Sequence, residues 1–143
     1  MPEIIGNKAT EDAALKFVMD YEIAAGRHPH DTRHVPAAAA DLASDDRLIE
    51  VKAAGGSSRG FDLWLELAQY RAATIHPDFH LYLVENVRQG DPAHFRLLDV
   101  HGEQLRRLLA RAKERHYYTL PVPVAEYRFT PRTRRKLPVS PDR

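Results

Sequence analysis

A chain of 143 residues with a net charge of +1 is long enough for one hydrophobic core and too short for several domains of ordinary size. Hydrophobic residues at 43% and charged residues at 29% describe an ordinary globular composition and exclude a fibrous or wholly disordered chain. The absence of cysteine excludes disulfides, thiolate metal sites and a cysteine nucleophile, and no apolar run approaches the roughly 20 residues that span a bilayer.

The first segment with a clear period is 10–26. Thr10 can cap a helix there, and Glu11 and Asp12 complement its dipole. Leu15, Val18, Glu22 and Ala25 fall on one stripe, and Gly26 is a stop signal. Glu22 is anomalous on that stripe, because a carboxylate on a core-facing line needs a partner. Residues 27–34 read as a loop or sheet edge. Their His28, His30, Asp31 and His34 match no standard zinc spacing. Val35 to Leu42 carries a weak strand signal diluted by alanines, and Asp45-Asp46 a turn. Arg47 to Ala53 is the clearest strand, bounded by that turn and by Gly55-Gly56-Ser57-Ser58. The glycine-serine loop with Arg59 is expected to be flexible enough to close over a ligand.

A second helix is expected over 61–76, with Phe61, Trp64 and Tyr70 in the core and Pro77 ending it. Two further strands, His80 to Val87 and Phe95 to Val100, are joined by a turn-rich Arg-Gln-Gly-Asp-Pro connection. Residues 102–116 read as a basic amphipathic helix, and Tyr117 to Phe129 as an extended arm confined to an edge by Pro121 and Pro123. His76, His80 and His116 form no constellation in the sequence. The expected fold class is α/β, a single mixed sheet flanked by helices. The expected organisation is a domain over 1–129, with helix and arm included, and a basic tail over 130–143, taken as disordered.

The chemistry concentrates in the 41–52 segment. Strand alternation places Glu50 and Lys52 on one face and Ile49 and Val51 on the other. A turn at Asp45-Asp46 would fold the preceding residues antiparallel and bring Asp41 beside Glu50, with Asp45 and Asp46 as rival ligands. Paired carboxylates suit a hard cation, Mg²⁺ or Mn²⁺, with the carbonyl of Val51 as an extra oxygen. Lys52 would orient a water or stabilise a pentacovalent phosphate. Glu22 would join as a further catalytic group if its helix packs on this sheet face. Glu66 and Gln69 on the second helix would border the site. Arg59, Arg106, Arg107, Arg111 and Arg115 are candidates for gripping nucleic-acid phosphates.

Asp41 followed by Ile49-Glu50-Val51-Lys52 resembles the signature of the PD-(D/E)XK superfamily of restriction-endonuclease-like folds. Within it, residues 10–100 look most like the domain of unknown function named after the C-terminal region of the plant protein NO VEIN. The likeness rests on a helix with a glutamate (Glu22) ending in glycine (Gly26), the aspartate and Glu50-Val51-Lys52, a second helix with Glu66, and the strand Leu81-Tyr82-Leu83-Val84. The resemblance implies a restriction-endonuclease-like core and a metal-dependent DNA endonuclease of a restriction, defence or mobile-element context. A cytoplasmic location is expected from the lack of cysteine, of a spanning run and of a basic-then-apolar N-terminus. The alternative is a nuclease-like module that binds nucleic acid or a protein partner without cutting. A homodimer built on the 117–129 arm is a further expected partner, since duplex cleavage usually takes two sites. No membrane partner is expected.

Overall fold

The computed structural model describes residues 2–130, and the tail expected over 130–143 falls outside them beyond Thr130. The chain forms two units, residues 1–112 and residues 113–143.

In the first unit, α1 (Asn7–Ala24) leads into three strands, β1 (Pro29–Asp31), β2 (Leu42–Ser44) and β3 (Arg47–Ala53). Helix α2 (Leu67–Ile75) connects β3 to β4 (Phe79–Glu85), and β5 (Arg96–His101) precedes α3 (Gly102–Leu109). The strands form one sheet in the order β1-β2-β3-β4-β5, in which β3 and β4 run parallel and every other neighbouring pair is antiparallel. The α/β class with a single mixed sheet is therefore as expected. No helix among the described residues is long and apolar enough to cross a membrane.

Helix α1 covers one face of the sheet. Its Ala14, Leu15 and Val18 pack with Leu42, Ile49, Tyr82, Val84 and Phe95. The other face carries α2 and α3, where Ala72, Ala73, Leu105 and Leu109 pack with Phe79, Leu81 and Val100. Alternation along the strands sorts residues between these layers, so Ile49 faces α1 while Leu48 faces α2 and α3.

Several elements differ from the sequence reading. Helix α1 starts at Asn7 instead of residue 10 and ends at Ala24, with Gly26 beyond it at φ +84°. The weak strand expected over 35–42 is a series of turns. Pro36 lacks a ladder donor and Ala37 takes φ +53°, so pairing begins only at Leu42. The loop or edge at 27–34 contributes β1, so three strands stand between α1 and α2 where two were expected. Helix α2 begins at Leu67, because the Gln69 side chain accepts a hydrogen bond from the Glu66 N–H at 2.9 Å and fixes the start there. Phe61 and Trp64 precede it and are exposed, as is Tyr70 on the helix itself, which corrects the expected place of all three in the core. Helix α3 stops at Leu109. In the second unit, the expected extended arm has no strand among its described residues and one 3-10 turn at Val124–Glu126.

Candidate metal centre

Strand β3 runs past the start of β2, where Leu42 pairs with Ile49 across the two-residue turn at Asp45-Asp46. The residue before that pair is Asp41. Its Oδ2 accepts a hydrogen bond from the Val51 N–H at 2.9 Å, beyond the last rung of the β2 ladder. Asp41 and Glu50 thus lie side by side, close enough for the charge of Asp41 to act on the Glu50 carboxyl. The turn residue Asp45 instead pairs with His28 at 2.9 Å, and both Asp45 and Asp46 are exposed.

Glu50 is 2% exposed, on the α2 and α3 face. Its Oε2 meets Lys52 Nζ at 3.1 Å, while Oε1 is buried with no hydrogen-bond partner among the described residues. Burial, then the charge of Asp41, push the Glu50 carboxyl up to about 7, with Lys52 pulling it back. Two carboxylates and one ammonium leave the cluster one positive charge short. An orphaned carboxylate oxygen in such a place is costly to keep unless something cationic meets it.

Glu22 is elsewhere. It is fully buried on the α1 face, opposite Glu50. Arg27 grips it with Nε and Nη2, each at 2.6 Å, and Tyr82 donates its hydroxyl proton to it at 2.9 Å. Arg47 in turn donates to the Tyr82 oxygen at 2.7 Å. Burial raises the Glu22 carboxyl, but the bonds from Arg27 and Tyr82 outweigh it and hold the group below the usual carboxylate value. The geometry gives Glu22 an ion pair and a hydrogen-bond network within the fold and does not bring it to Asp41 and Glu50. The sequence reading overlooked Arg27, Tyr82 and Arg47 as its partners. The buried position on the α1 stripe was the available signal that partners exist.

The remaining candidates divide in the same way. Gln69 is engaged with the Glu66 backbone at the start of α2. Arg106 pairs with Glu103 at 2.8 Å, and Arg107 and Arg111 are exposed at the end of α3. Arg59 is exposed on the glycine-serine loop, and Arg115 is exposed in the second unit. That loop, expected to be flexible, is tied down. The Ser58 hydroxyl donates to the buried Glu85 at 2.8 Å, and the Asn86, Val87 and Arg88 N–H groups donate to the carbonyls of Gly56, Ala54 and Gly55.

Residues 10–98 match the family model described as Protein NO VEIN, C-terminal. The chain belongs to the NO VEIN C-terminal family. Its matched region runs from within α1 to the middle of β5 and includes Asp41, Glu50 and Lys52. No curated protein and no solved structure matches the chain.

Proposed function

We propose that this NO VEIN C-terminal domain is a metal-dependent nuclease of the PD-(D/E)XK type, acting on DNA through Asp41, Glu50 and Lys52. The observation that carries the reading is the buried, unpartnered Oε1 of Glu50 beside a second carboxylate. A carboxyl pair of this kind repels itself when ionised, and a hard divalent cation relieves the repulsion with the ligand type it prefers.

Asp41 and Glu50 would hold Mg²⁺ or Mn²⁺, with the carbonyl of Val51 as a further oxygen. When bound, the ion acidifies a coordinated water and neutralises charge on a phosphodiester. Glu50 must give up its proton to serve as a ligand, which its value of about 7 allows near neutral pH. Lys52, tethered at 3.1 Å to Glu50, would orient the attacking water or meet the charge that builds on the phosphate. Support for a polyanionic substrate comes from α3, whose Leu105 and Leu109 pack on the same sheet face as Glu50 while Arg106 and Arg107 are exposed.

The test is cleavage of plasmid DNA by the purified chain with Mg²⁺ or Mn²⁺. Cleavage by the wild type and its loss, by about 10³-fold or more, in folded Glu50→Ala and Lys52→Ala is the expected outcome. Full activity in either variant overturns the assignment. DNA binding without any cleavage overturns the enzyme and leaves a binding module.

A further inference from the structure

On the opposite face of the same sheet, at the end where β4 begins and β5 finishes, His80 and His101 are cross-strand partners. Their rings stack with centroids 4.7 Å apart. Asp99, two residues before His101 on β5, points to the same face. Its Oδ1 is 2.8 Å from His80 Nδ1 and 3.1 Å from His101 Nδ1. One ligand atom from each of the three residues lies within 4.8 Å of the others. The far nitrogen of His80, Nε2, is 2.7 Å from Asp78 Oδ1. His80 itself is buried, Asp99 is half-buried and His101 is exposed, so the cluster has a rigid inner side and an open outer one.

We propose that His80, Asp99 and His101 form a second metal site, for a borderline divalent ion of the Zn²⁺ or Co²⁺ kind, independent of Asp41 and Glu50. Two imidazoles and one carboxylate are the donor set these ions favour and Mg²⁺ does not. Four-coordinate ligands at about 2.0–2.1 Å from an ion stand about 3.4 Å apart, so these three groups need only small side-chain rotations to converge. Asp78 completes the arrangement. A carboxylate that accepts the second N–H of a ligating histidine fixes its tautomer and orientation. Binding exchanges the contacts of His80 Nδ1 and His101 Nδ1 with Asp99 Oδ1 for three metal bonds. The proton on His80 Nδ1 leaves to solvent, and His101 binds as the neutral tautomer with its proton on Nε2. Arg47 opposes the ion, but it lies 4.0 Å from Oδ2 of Asp99, the oxygen turned away from both histidines, and Asp78 adds a compensating negative charge. Three protein ligands leave at least one position for water or substrate on the solvent side, beside the exposed His101.

The experiment is titration of the metal-free full chain with Co²⁺ at neutral pH, followed by visible absorption, with Zn²⁺ as competitor. One Co²⁺ per chain, with d–d bands of a four- or five-coordinate nitrogen and oxygen site, is expected. His101→Ala removes an exposed group and spares the core, and with Asp99→Asn it should weaken binding by at least about 100-fold. Asp78→Asn should cost about 10- to 100-fold. Glu50→Gln should leave the Co²⁺ affinity unchanged. Failure of the wild type to bind overturns the site. So does binding that survives His101→Ala and Asp99→Asn, or that is lost in Glu50→Gln.

Discussion

Glu50 and Glu22 are both buried carboxylates a few ångströms from a cation, yet burial wins at one and hydrogen bonding at the other. Glu22 has two arms of Arg27 and the Tyr82 hydroxyl, enough to keep it ionised in the core. Glu50 has Lys52 on one oxygen, nothing among the described residues on the other, and Asp41 repelling it. Their effects on stability therefore have opposite signs. Because Glu22 titrates below its unfolded value, its contribution is complete above about pH 4.5 and is lost as the pH falls below that. Because Glu50 is raised to about 7, the folded state holds its proton longer, and stability falls as the pH rises from about 4.5 to 7. In metal-free protein, Glu50→Gln should remove the second limb, giving a higher melting temperature than wild type above pH 7 and a similar one near pH 4. Calorimetric melts across that range check this, and an unchanged high-pH limb would contradict it. The Glu50 and Lys52 pair was legible because a strand bounded by two turn signals has an unambiguous alternation. Which layer Glu22 joins was not, since the helical period says that a side chain faces the core and not which side of the sheet the helix covers.

Among the elements, the β2–β3 hairpin carries the candidate site, for it sets the register that brings Asp41 to Glu50. Its turn residue Asp45 sits at φ +51°, a conformation aspartate tolerates and β-branched residues resist. Asp45→Val should cost about 1–2 kcal/mol of stability by urea denaturation, whereas Asp45→Gly should be neutral or better. Equal loss in both would point instead to the exposed contact with His28. The turn and β3 could be read from turn chemistry to the residue, whereas β2 could not, since the weak signal over 35–42 overlaps the observed Leu42–Ser44 at Leu42 alone. The start of α2 could not, because Phe61 and Trp64 continue a helical spacing that the Gln69 bond to the Glu66 backbone cuts off. The His80, Asp99 and His101 cluster was hidden for another reason. Cross-strand pairing unites residues about twenty positions apart, and only the β4–β5 register shows that 80 stands opposite 101.

At the level of the whole molecule, the sheet of residues 1–112 separates two polar centres, one beneath α2 and α3 and the other on the α1 face. Binding energy at either centre adds to folding by mass action. Mg²⁺ at about a hundredfold over its dissociation constant should stabilise the fold by about 2.7 kcal/mol, a rise of several degrees in melting temperature. The rise should be absent in Glu50→Gln and intact in His101→Ala. Equal Mg²⁺ shifts in wild type and Glu50→Gln would move the hard-cation site away from β3.

The bond from the Val51 N–H to Asp41 gives that aspartate a structural duty beside the ligand role proposed for it. Where β2 has not yet begun, one side-chain oxygen stands in for the carbonyl of a missing strand residue and closes the edge of β3. Truncating Asp41 to alanine would therefore fray the strand that carries Glu50 and Lys52, confounding a lost ligand with a displaced one. Asparagine keeps an acceptor oxygen of the same reach and removes only the charge. Comparing Asp41→Asn with Asp41→Ala separates the carpentry of the site from its chemistry.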